Sequence, residues 1–139
     1  MRTVIDWTCE DGGATLHFRI KKMGAVQSER FSLKMAAMLG AAKNKNVDLD
    51  DVMSLFAVLG AVDFEKIQDL MSELLSCCSI VKENVEVKLT EENVDGFIEE
   101  RNTLIQLRIE AFKVNDFFQT RGLSVFEQSP AQVDIKRRV

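Results

Sequence analysis

Phe64-Glu65-Lys66-Ile67-Gln68-Asp69-Leu70-Met71-Ser72-Glu73-Leu74-Leu75 is the stretch from which the rest of the chain is read. Phe64, Ile67, Leu70, Met71, Leu74, Leu75 and, beyond them, Cys78 recur at steps of three and four, with charged and polar residues between. That spacing predicts an amphipathic helix whose apolar stripe builds a core or a partner surface, with no catalytic group on it. Asp63 stands where a helix N-cap belongs, and the helix is expected to run to about Cys78.

Working outward, two more helices precede it. One is expected from about Val26 to Ala42, stopping in Lys43-Asn44-Lys45-Asn46. The next is capped by Asp48 or Asp50, has Val52, Leu55, Phe56 and Leu59 on its apolar face, and ends on Gly60 as a left-handed C-cap. Further upstream, residues 3 to 9 and 14 to 22 alternate apolar with polar side chains around Glu10-Asp11-Gly12-Gly13, which predicts a hairpin. Downstream, residues 80 to 89 read as a second short hairpin, Thr90 as the cap of a short helix from Glu91 to about Glu99, and 103 to 119 as the last helix. The expected fold is therefore α+β and mainly helical: an N-terminal hairpin, about four or five helices and a second short hairpin. It forms one domain over residues 1–122, with a C-terminal tail at 123–139 that is peripheral or docked on a neighbour.

Composition narrows the function. At 139 residues the chain is the size of one domain, and 46% apolar with 29% charged residues is a globular balance. A formal charge of −4, from 18 basic and 22 acidic residues, builds in no attraction to nucleic acid or to an anionic membrane. No stretch approaches the roughly 20 apolar residues that span a bilayer, and the N-terminus lacks the apolar run of a signal peptide.

The chemical candidates are sparse. His17 is the only histidine and alternates with Leu16 and Phe18, a surface position on a strand. Cys9, Cys77 and Cys78 are odd in number and lack the partners for a disulfide framework or a tetrahedral zinc site. Glu91-Glu92 and Glu99-Glu100 read as solvated helix faces rather than a carboxylate catalyst. No glycine-rich phosphate loop occurs. The reading is a non-enzyme without cofactor or metal.

Apolar surface is in surplus. In the last helix Leu104, Leu107, Ala111, Val114 and Phe118 make one seam, and Ile105, Ile109 and Phe112 another, with Arg108 and Asn115 between them. One seam can face the core and the other a partner. The first helix carries Phe31, Met35, Met38, Leu39 and Ala42 on one side and Val26, Leu33, Ala37 and Gly40 on the other; methionines adapt to varied partner shapes. Phe31, Met35, Met38, Leu39, Ile105, Ile109 and Phe112 are accordingly the candidate protein-binding residues. The alternative is that both helices are simply sandwiched between neighbours.

Three blocks resemble the tail assembly chaperones of long-tailed, siphovirus-type bacteriophages. The first is Leu16-His17-Phe18-Arg19-Ile20-Lys21-Lys22-Met23 with Glu29-Arg30 and Met35-Ala36-Ala37-Met38-Leu39-Gly40. The second is Val62-Asp63-Phe64-Glu65 leading into Leu70-Met71-Ser72-Glu73-Leu74-Leu75-Ser76-Cys77-Cys78. The third is Leu89-Thr90-Glu91-Glu92-Asn93-Val94-Asp95-Gly96-Phe97-Ile98-Glu99-Glu100 with Thr103-Leu104, Leu107-Arg108, Glu110-Ala111-Phe112, Asn115 and Phe117-Phe118. Each is an apolar pattern, so the resemblance carries over no catalytic residues.

The resemblance implies a protein of the host cytoplasm that binds the tape measure protein, the long helical ruler of the tail, and keeps it soluble during assembly. It also implies, as in many members, a frameshifted extension that recruits the tail tube protein. Homo-oligomerisation is expected from the apolar seams. The rival reading is a small helical homo-oligomeric adaptor or regulatory binding protein of phage or prophage origin.

Overall fold

The computed structural model describes residues 3–41 and 52–115. In these the chain forms β1 (Val4–Asp11), β2 (Ala14–Lys21), α1 (Ala25–Ala41), α2 (Val52–Val62), α3 (Phe64–Leu75), β3 (Cys78–Lys82), β4 (Val85–Lys88), a single 3₁₀ turn (Val94–Gly96) and α4 (Arg101–Asn115).

Both β-turns are two-residue loops with left-handed backbone at each position: Gly12 and Gly13 (φ 57° and 87°), and Glu83 and Asn84 (φ 51° and 67°). Turns of that hand match the twist of the strands they join. Register follows, with Trp7 opposite Phe18 and Ile5 opposite Ile20 in the first pair, and Ile80 opposite Val87 in the second.

The expectation of a mainly helical body with separate hairpins is corrected here. β3 pairs antiparallel with β2, setting Phe18 against Ile80 and Ile20 against Cys78, so the two hairpins merge into one four-stranded antiparallel sheet of order β1-β2-β3-β4. The cause is that the strand edge presented by Phe18–Ile20 would otherwise leave its backbone groups unpaired. Four α-helices accompany the sheet among the described residues.

Three local expectations change with it. Cys78 is the first residue of β3 rather than the end of α3, which stops at Leu75 with Ser76 as its cap. The short helix expected over 91–99 is a set of turns around the 3₁₀ segment: Thr90 and Asn93 cap its start by accepting each other's backbone N–H, but Gly96 and Phe97 bond only three residues back and the Glu99 and Glu100 N–H groups go to Asp11 instead of continuing a helix. Gly60 lies inside α2, which continues to Val62. The proposed caps Asp48 and Asp50, the stop at Lys43–Asn46, Ala42, the end of the last helix with Phe117 and Phe118, and the 123–139 tail lie outside the described residues.

One face of the sheet is apolar and buried, through Leu16, Phe18, Ile20, Cys78 and Ile80. α4 lies against β1 and β2 and also packs on α2 and α3. The other face is a charged ladder: Arg19 reaches Asp6 and Glu86, each at 3.1 Å, and Lys21 reaches Glu86 at 3.6 Å.

α4 is pinned at both ends. Asp11, at the tip of the first hairpin and only 6% exposed, accepts the backbone N–H groups of Glu99 and Glu100, each at 2.9 Å. Gly12 N–H in turn donates to Glu100 at 2.9 Å, and a Cβ at Gly12 would run into the Glu99 carboxylate. At the far end, buried Asn115 accepts the Met23 N–H and donates to the Ala111 carbonyl, both at 2.8 Å.

Candidate functional site

α2 is apolar all round. None of its eleven residues is charged, and only four, Val52, Leu55, Phe56 and Leu59, are buried. Such a helix belongs inside a core or against a partner. Here Met53 is 42% exposed and Val62 37%.

Asp63 alone separates α2 from α3. Its backbone is extended (φ −155°, ψ 96°) and its side chain accepts the Lys66 N–H at 3.1 Å, the cap expected from the sequence. Gly60 lets the two helices approach closely, since a Cβ there would sit 3.3 Å from Ile67 Cγ2.

Between α2, α3 and α4 this arrangement leaves an apolar groove of 260 Å³. Its rim carries Met53, Ala57 and Phe64, the last of which is 64% exposed despite its size. Phe56, Ile67 and Met71 line the floor, and Ile105, Arg108 and Ile109 of α4 form the remaining wall. α3 supplies the groove because its stripe is wider than the core needs. Ile67, Leu70, Leu74 and Leu75 are buried, whereas Phe64 and Met71 fall on the edge of the stripe.

The residues singled out from sequence divide between core and groove. Phe31, Met35 and Met38 are buried on the inner side of α1, and Leu39 is partly buried. Phe112 is buried too, with its ring edge-on to Phe56 at 5.5 Å and tilted toward Phe31 at 6.4 Å. Phe56 lines the groove, so this aromatic cluster connects the groove to the core. Ile105 and Ile109, partly buried, are the two that line it. Val26 and Leu33, on the opposite side of α1, are 62% and 58% exposed.

Sequence reasoning missed Met53, Phe64 as a rim residue, and Arg108. The signal for the first was the uninterrupted lack of charge from Val52 to Val62.

Among the described residues, no histidine, cysteine or carboxylate lines the groove. Burial, and then neighbouring Cys77, pushes the Cys78 thiol far above its ordinary value; burial followed by Asp11 and Glu10 raises Cys9. His17 is exposed on β2. Among the described residues no group of three or more His, Cys, Asp or Glu is placed to hold a metal ion, and no helix is long and apolar enough to cross a membrane.

No curated protein and no solved structure matches the chain significantly. A family model does. The model for the phage tail assembly chaperone protein, TAC, matches residues 14–126, a span that includes every residue of the groove. With 113 of its 139 residues in that match, the chain belongs to the phage tail assembly chaperone family.

Proposed function

We propose that this chaperone binds the tape measure protein of its phage and keeps it soluble in the host cytoplasm while the tail is built, and that the groove between α2, α3 and α4 is where the client lies. The observation that supports this most is the bare rim: Met53 and Phe64 stand exposed above an apolar floor, on a helix pair with no charge on the α2 side. A client built of long amphipathic helices would lay its apolar stripe into such a groove. Ile105 and Ile109 then touch the client, while Phe112 backs the lining residue Phe56 and Phe31, Met35, Met38 and Leu39 belong to the core. The role is binding, with no reaction to catalyse. Tail tube protein would join through a frameshifted extension rather than through this groove.

Co-expression with the tape measure protein tests the reading. The wild-type chain is expected to keep the client in the supernatant and to co-elute with it on gel filtration. Met53→Asp with Phe64→Asp is expected to abolish both while leaving helical circular dichroism intact. A client equally insoluble with and without the chaperone would refute the function, and a double variant that still solubilises it would refute the groove.

Self-association is a second proposal, favoured by Val26 and Leu33 on the outer side of α1. Light scattering of the client-free protein is expected to give a dimer or larger; a strict monomer at micromolar concentration would contradict it.

A further inference from the structure

Among the described residues, Arg108 is the only charged one lining the groove. It is 8% exposed, far more buried than the cations of the outer sheet face. Its Nη2 donates to Glu91 Oε2 at 3.3 Å, and its Nε has no hydrogen-bond partner. Glu91 is a divided partner: its side chain is 49% exposed and the same oxygen accepts the Ser72 hydroxyl at 3.0 Å. A guanidinium carries five N–H donors and no acceptor, and buried donors left unpaired are costly. The contrast with Arg19 is direct, since that residue has two carboxylates and spends them on an open surface.

A methionine or leucine at position 108 would fill the same wall without that cost, because replacing a buried ion pair by apolar side chains is often neutral or stabilising. The arginine is therefore better suited to something that enters the groove than to the fold as it stands. The entrant must be apolar over most of its length, to match Met53, Phe64 and Ile105, and must bring an acceptor to one point.

Resting on the reading of this groove as the client site, we propose that Arg108 recognises a carboxylate set within the apolar stripe of the client's helix. An Asp or Glu there, flanked by apolar residues three or four positions away, can take two guanidinium N–H groups at once. A phosphate backbone does not fit the same surface, since it needs a series of cations and the described residues of the groove supply one.

The test uses two labelled amphipathic helical peptides of identical Leu/Met stripe that differ only in Glu or Gln at its centre, titrated by fluorescence anisotropy into the full-length chain. The Glu peptide is expected to bind about tenfold more tightly or better, and the preference should shrink to within about twofold in Arg108→Met. Arg108→Met should melt no lower than the parent. Arg108→Lys should keep part of the preference, and serves as the deciding variant if Arg108→Met fails to fold.

Equal affinity for the two peptides, binding of neither, or a preference that persists in Arg108→Met would overturn the inference. A melting temperature that falls with the preference unchanged would assign Arg108 to the fold. Dissociation of a dimer by Arg108→Met would make the occupant a second copy of this chain and overturn it as well. The two levels separate cleanly: tape measure binding without a Glu preference keeps the proposed function and removes carboxylate recognition, whereas a Glu preference without tape measure binding does the reverse.

Discussion

The two ends of α4 and the groove along its side are built on opposite principles. At the ends, buried polar groups meet partners: Asp11 takes two backbone N–H groups and Asn115 both accepts and donates. Along the groove, large apolar side chains stand exposed and a buried guanidinium is left short of acceptors. A region whose bonding capacity is filled holds a shape, and the one whose capacity is unfilled is where the proposed client would bind. Because α4 is shared between them, the pinned ends fix where Ile105, Arg108 and Ile109 present themselves.

The comparison breaks most visibly at Asp11. Asp11→Ala would strand the Glu99 and Glu100 N–H groups, and a loss of about 3 kcal/mol in urea unfolding is expected. A loss under about 1 kcal/mol would mean that the hairpin tip does not hold the helix. Burial raises the Asp11 carboxyl, but the N–H groups of Glu99 and Glu100 and the Thr103 side chain together outweigh it and keep its pKa below the ordinary value. Its contribution is therefore complete above about pH 4 and is lost as the pH falls through the lowered pKa. The stability gap between the wild type and Asp11→Asn should narrow in acid; a gap that widens there would contradict the assignment.

At the other end Asn115→Ala leaves the Met23 N–H buried without an acceptor, for an expected cost of about 2 kcal/mol. An unchanged denaturation midpoint would show that the helix end is not pinned there. The second hairpin sharpens the comparison from the side of the frame. Glu83 holds a left-handed backbone that suits glycine or asparagine, so Glu83→Asn with Asn84→Gly should raise stability by roughly 1 kcal/mol. No gain would mean that the turn is not strained. The smallest effect on folding belongs to the groove: Met53→Ser and Phe64→Ser should each change stability by no more than about 0.5 kcal/mol, because their side chains already meet solvent. A larger loss would place them in the fold instead of the site.

Much of this was legible from local pattern. The period of Phe64–Leu75 and its Asp63 cap gave α3, and the Gly12-Gly13 turn with its alternating flanks gave the first hairpin. Element ends such as Gly60 and Cys78 shifted, but the larger failure was long-range. The pairing of Phe18–Ile20 with Cys78–Ile80 joins segments about sixty positions apart and leaves no local mark, so local pattern predicts two hairpins where the fold has one sheet. Nor could Glu83-Asn84 advertise its turn as a glycine would.

The site divided in the same way. The two seams of α4 were visible, and Ile105 and Ile109 do line the groove. Phe31, Met35 and Met38 have the composition of an adaptable surface, yet they face inward, because periodicity locates an apolar face without saying what covers it. Only the packing of α2, α3 and α4 distinguishes a rim from a core.

Amide hydrogen exchange with and without bound tape measure protein tests the central claim most directly. Slowed exchange is expected in α2, the first half of α3 and the middle of α4, with the β1–β2 hairpin unchanged. Protection confined to β1 or to α1, with the amides of α2 and α3 exchanging as before, would contradict the groove as the client site.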